Sequence, residues 1–177
     1  PGYLHLWGAS GLTGVWAEAN TREAIYTALR RKETFATSGP RMRVRFFAGA
    51  DLSRDLADAN DAVERAYANG VPMGGDLTGG EPRFLVWALR DPQGAPLQRV
   101  QVVKGWVDAE GESHERVYDV ACADGLAVDP ETHRCPDNGA SVSLEDCSIS
   151  EDVGANELRT VWRDPDFDPE QKAFYYV

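Results

Sequence analysis

The stretch "RFLVWALRDPQGAPLQRVQVVKGWVD", residues 83 to 108, decides the fold. Both of its halves are runs of β-branched and aromatic residues, and the "DPQGAP" between them carries the Pro and Gly that interrupt a strand. In the second half Val100, Val102 and Trp106 fall on one side, with Gln101 and Lys104 among the polar positions, which predicts a sheet with one wet face. Further strand-like segments follow at "ERVYDVAC", "ELRTVWR" and "AFYYV", and one precedes at "MRVRFFAG", where Arg43, Val44, Arg45 and Phe46 alternate as in a half-buried strand. Many late strands without helices between them favour an antiparallel sheet or sandwich over a parallel βαβ arrangement.

Helices belong to the first part of the chain. "NTREAIYTALRRK" offers Asn20 as N-cap and Glu23 to reach back to it, an apolar face of Ala24, Ile25, Ala28 and Leu29, and cations in the last turn, which predicts a helix over about 21–32. "DLADANDAVERAYANG" predicts a second, surface-mounted helix with Ala62, Val63, Ala66 and Tyr67 on one face and Asn69-Gly70 as its stop. From Ala123 to Val153 no period is sustained, and the segment reads as a loop excursion pinned by cysteines. The predicted class is therefore α+β, with a mainly antiparallel, sandwich-like domain.

Composition narrows the partners. The 177 residues carry 18 Lys and Arg against 29 Asp and Glu, a formal charge of −11, which argues against a general electrostatic hold on nucleic acid or an anionic membrane. No apolar run approaches the roughly 20 residues that a membrane-spanning helix needs. Pro1 at the start and the strand-like "AFYYV" at the end give the expectation of a fragment of a longer protein.

Several motifs bear on chemistry. "DPDFDPE" spaces Asp164, Asp166, Asp168 and Glu170 two apart, as a calcium loop begins, but Pro169 stands where such a loop requires Gly, and two Asp-Pro turns around Phe167 account for it as well. His5, His114 and His133 form no HxH or HExxH pattern, so no metal ligand is assigned. "GVPMGGDLTGG" lacks the Lys and spacing of a phosphate-binding P-loop and reads as a bent loop in which Asp76 holds backbone amides. "TFATSGPR", residues 34 to 41, admits two readings: an oxyanion cradle of Thr37, Ser38 and Arg41, or a helix-to-strand turn punctuated by Gly39-Pro40. Cys122, Cys135 and Cys147 admit disulfides or buried thiols, and without a CxxC or CxH pairing a zinc site is not indicated. Trp87, Trp106 and Trp162 either build an aromatic binding platform or pack in the core.

Taken in order, "GLTGVWAEANTREAIYTALRRKETFATSGPRMRVRFFAG", "GVPMGGDL", the opening stretch, "YDVAC" and "DPDFDPEQKAFYYV" resemble the C-terminal part of the bacterial domain of unknown function 3604 family over nearly the whole chain. That family is similar to the polymerase-and-histidinol-phosphatase (PHP) superfamily of metal-dependent hydrolases, mostly phosphoesterases, on a distorted barrel. The resemblance implies that residues 1–40, helix included, finish such a barrel, and that residues 41–177 form a β-rich C-terminal domain with one additional helix. It implies a divalent metal held upstream by residues this chain does not carry, with Thr37, Ser38 and Arg41 as contacts to a small anionic ester substrate; His5 is a further candidate for the pocket wall, in a neighbourhood that the resemblance does not match. It implies that the remaining N-terminal part of the same protein is the partner, and that the chain alone is inactive. It also implies a Cys122–Cys135 disulfide, with Cys135–Cys147 as the alternative, and a periplasmic or secreted location. The competing expectation is a non-catalytic β-sandwich that recognises a ligand or partner.

Overall fold

A computed structural model describes residues 11–150 and 152–177; His5 lies outside the described residues. Among the described residues every strand pairing is antiparallel, and the strands form three sheets. A short ladder joins β1 (Thr13–Val15) to β2 (Thr34–Ala36), with helix α1 (Arg22–Arg30) between them in the chain. A four-stranded sheet has the order β4 (Val71–Pro72), β3 (Arg43–Gly49), β5 (Arg83–Leu89), β8 (Glu157–Arg163). A three-stranded sheet has the order β7 (Ser113–Cys122), β6 (Arg99–Val107), β9 (Ala173–Tyr176). The α+β reading with mainly antiparallel sheets holds.

The two larger sheets share a core. Phe46, Phe84, Val86 and Ala88 on one side meet Val100, Val102, Tyr118 and Val120 on the other, all buried. Alternation puts their neighbours Phe47 and Leu85 on the opposite face of the four-stranded sheet, where they are also buried, under Leu52, Leu56, Ala62 and Ala66. The four-stranded sheet is thus covered on both faces, which is why "RFLVWAL" is continuously apolar. The expectation that "MRVRFFAG" is half-buried is corrected here: its Phe46 and Phe47 point to opposite faces and both are enclosed. The "DPQGAP" segment carries the chain from one sheet to the other.

Both helices differ from expectation at their starts. Thr21, not Asn20, caps α1: its backbone is extended, and its hydroxyl accepts a hydrogen bond from Ala24 N at 3.2 Å. The second predicted helix is split into a 3-10 turn (Arg54–Asp58) and α2 (Ala62–Asn69), because Ala59 takes an extended conformation between them. Gly70 ends α2 for a packing reason. A Cβ there would stand 2.5 Å from Ala48 O.

The segment between β7 and β8 is an excursion, as expected, and it is anchored. Cys122 and Cys135 are disulfide-bonded with their Cα atoms 5.6 Å apart, and Asp119, buried on β7, accepts hydrogen bonds from Cys135 N and Gln101 Nε2, both at 2.7 Å. Cys147 is an exposed thiol. The disulfide fits an oxidising compartment, outside the cell or periplasmic. Among the described residues no helix is long and apolar enough to cross a membrane. Reducing the bond, or replacing both Cys122 and Cys135 by Ser, is expected to lower stability by about 3 kcal/mol, because the open loop regains chain entropy when unfolded. Denaturant titration with and without reductant checks this, and equal midpoints would refute it.

Candidate functional site

The sandwich is open along one side, where the edge strands β4 and β9 do not meet. The gap is a cleft of about 540 Å³, within the range of small-molecule sites. Phe46 and Phe84 form its floor, the Gly-rich turns after β4 one wall, and Phe167, Phe174 and Tyr175 the other. Lys32 stands at the rim with Asp76 and Asp168.

Local sequence explains each wall. The "PMGGDL" turn closes through Gly75 N donating to Pro72 O at 3.0 Å, and Gly74 adopts φ +81°, a conformation that glycine takes without strain. Lys32 takes φ +60° at the exit of α1, where its backbone lies directly against Gly74. Among the described residues the "PMGGDL" turn is closed by the Pro72 carbonyl, and no hydrogen bond to the Asp76 carboxylate accompanies it. In the opposite wall the Asp-Pro turns carry the chain from β8 to β9, from one sheet to the other.

At that crossing lies a polar network that is buried at Lys104 and Asp164 and reaches solvent at Asp166 and Arg116. Lys104 and Asp164, both almost wholly enclosed, pair at 2.8 Å. Lys104 Nζ also donates to Asp166 O at 2.7 Å, and the Tyr175 hydroxyl donates to Asp164 Oδ2 at 2.7 Å. The Tyr118 hydroxyl donates to Asp166 Oδ2 at 2.6 Å, and Arg116 reaches the same oxygen at 2.7 Å. Burial, and then the carboxylates they bond, push both phenols well above the usual tyrosine range, so they remain hydrogen-bond donors. Asp164, Asp166 and Asp168 of "DPDFDPE" are therefore engaged by protein cations, phenols and turn amides, as the Asp-Pro turn reading has it.

Lys104 departs from the wet-face reading of β6, which placed it among the polar positions. It projects from the same side as Val100 and Val102 into the sandwich, and that shared parity was the available signal.

The remaining sequence candidates are placed as follows. Thr37 Oγ1 accepts from Leu12 N at 3.1 Å, and Arg41 N donates to Asp91 Oδ2 at 2.7 Å. Ser38 and Arg41 are exposed, and neither they nor Thr37 line the cleft. Trp162 packs inside the sandwich on Phe84 and Tyr118, Trp106 stacks on His114, and Trp87 lies under Arg159 on the other face of the four-stranded sheet. The three indoles share no surface and form no platform.

Among the described residues no three His, Cys, Asp or Glu side chains converge as metal ligands would. The described residues thus offer no ligand set for a divalent metal. The described residues that line the cleft include no His, Cys or Ser; its geometry offers aromatic and aliphatic walls with Gln171, one cation and two carboxylates.

The fold and cleft define an α+β protein of layered antiparallel sheets with a ligand-sized opening between edge strands. A family model described as "Protein of unknown function (DUF3604)" matches residues 3–177, and the chain belongs to that family. No curated protein and no solved structure matches it.

Proposed function

We propose that this chain is the C-terminal part of a metal-dependent hydrolase-like protein, a phosphoesterase or related ester hydrolase. In this reading it supplies scaffold and substrate-side contacts beside a PHP-like barrel that holds the metal. The observation that carries the reading is the position of α1. Its Tyr26 and Leu29 are 61% and 47% exposed, and the turn that ends it places Lys32 on the rim of the cleft. A body covering α1 would therefore border the cleft, and a substrate in the cleft would lie at the seam. Ala24 and Ile25 are half-buried, so α1 is only partly covered by the residues described. The disulfide supports a periplasmic or secreted setting.

Arg41 follows α1 and β2, and no ion pair engages its guanidinium among the described residues. Arg41 does not line the larger cleft; in the full-length protein its exposed guanidinium would reach a phosphate or sulfate oxygen presented by the adjoining barrel, through charge-assisted hydrogen bonds. Arg41→Ala there is expected to lower kcat/KM for an aryl phosphate or sulfate by about tenfold at unchanged metal content, equivalent to about 1.4 kcal/mol of transition-state stabilisation. The 177-residue chain alone should not turn over either ester. Unchanged kcat/KM in the variant would return residues 34 to 41 to the role of a turn. Turnover by the isolated chain would overturn the assignment of the metal to an upstream part.

The second reading, a non-catalytic recognition module, is favoured by the lining of the cleft, in which the described residues include no His, Cys or Ser. Ligand binding by the full-length, metal-loaded protein without ester turnover would decide for it.

A further inference from the structure

A second cleft, of about 240 Å³, lies on the face of the four-stranded sheet that points away from the sandwich core. Strand register aligns Arg45, Trp87 and Arg159 across β3, β5 and β8, with Arg43, Leu89 and Glu157 in a parallel row. Trp16, anchored by its indole N–H on Val44 O at 2.8 Å, closes over this face. Arg45 stacks on Trp16 with Cζ 3.7 Å from the ring centre, and Arg159 stacks on Trp87 at 3.5 Å.

The wall has more donors than acceptors. Glu157 pairs with Arg159 beside the cleft, which leaves the two lining guanidiniums, Arg43 and Arg45, without a carboxylate in the cleft wall; Arg45 also reaches the Tyr67 hydroxyl. The Arg43 side chain lines the cleft without a hydrogen-bond or ion-pair partner among the described residues, and the buried Trp87 indole N–H has no acceptor. Stacking occupies the face of the Arg45 guanidinium and holds its plane in place. In a chain of net charge −11, this concentration of cations around apolar walls stands out from the average surface. Val63, Trp87 and Leu89 supply those walls.

We propose that this cleft binds a small organic anion, with a carboxylate, phosphate or sulfate group held by Arg43 and Arg45 and an apolar body against Trp87 and Leu89. The physical basis is that forked guanidinium donors match oxyanions in geometry and charge. The site is separate from the larger cleft and does not rest on the hydrolase reading.

The test is a titration of the purified protein, followed by tryptophan fluorescence, with benzoate, phenyl phosphate and phenyl sulfate as anionic probes and benzyl alcohol as the neutral one. At least one anion should give a saturable change while benzyl alcohol does not, and the order of affinities identifies the oxyanion preferred. Arg43→Ala should weaken the tightest probe about tenfold without altering the circular dichroism spectrum. In the unsubstituted protein, raising the salt concentration should weaken it as well. Absence of saturation with every anion, equal binding of benzyl alcohol, salt-insensitive binding, or unchanged affinity in a folded Arg43→Ala protein would each overturn the proposal.

Discussion

Lys104→Met is expected to destabilise the protein by about 3–5 kcal/mol, the effect of removing one partner from a buried ion pair. Asp164 would then sit enclosed with a charge answered only by the Tyr175 hydroxyl and the Asp166 amide. The paired substitution Lys104→Met with Asp164→Leu removes both charges and should recover most of the loss, since a buried pair and a well-packed apolar pair of similar volume are often close in stability. Denaturant unfolding of the single and double variants measures this. A single variant within 1 kcal/mol of the parent would mean that water reaches the pair and that the enclosure described here is wrong. Tyr175→Phe removes only one donor from Asp164, and its effect belongs in the lower range of about 1–3 kcal/mol.

Gly74→Ala should be almost as damaging, and Gly79→Ala gives the matched comparison. Both glycines have left-handed backbones, φ +81° and +78°, so an alanine at either loses about 1–2 kcal/mol on conformation alone. Only at Gly74 does the new Cβ collide, 2.5 Å from the carbonyl oxygen of Lys32, whereas at Gly79 it meets nothing within 4 Å. Because the obstruction is backbone, the loop or the α1 exit turn has to move, and the total should reach about 3 kcal/mol or more. The Gly74 variant should also lose the wall that joins the α1 exit to the larger cleft. Thermal unfolding of the two variants side by side checks the argument, and equal shifts would show that the Lys32–Gly74 contact does not constrain the chain.

Periodicity made the strands legible, since each apolar run from residue 83 onward became a strand and the turn residues fell between them. It was less informative about which strands pair. β8 joins β5 across the long excursion, and β9 joins β6 in the other sheet, because side-chain patterns record which face is buried and not which neighbour lies alongside. Lys104 shows a further limit. Its parity with Val102 was visible, but a lysine faces inward only when a counter-ion is supplied there, and that counter-ion comes from a distant turn. Trp16 and Arg45 were unremarkable in sequence for the same reason: their stack depends on how the β1–β2 ladder folds back over β3. The Cys122–Cys135 bond followed from family resemblance rather than from spacing.

The late position of Asp164 and Asp166 has a consequence for synthesis on the ribosome. Lys104 reaches its acceptor on Asp166 across 62 positions, so β6 leaves the exit tunnel carrying a charge that belongs inside the protein while its partners are still untranslated. At that stage β5 also has an open hydrogen-bonding edge, because β8 has yet to be made. An open apolar edge is a template for association with other nascent chains. The sandwich therefore cannot close vectorially from its N-terminal side. Closure waits for the Asp-Pro crossing, so an incomplete chain keeps Lys104 without its partners and the β5 edge unpaired.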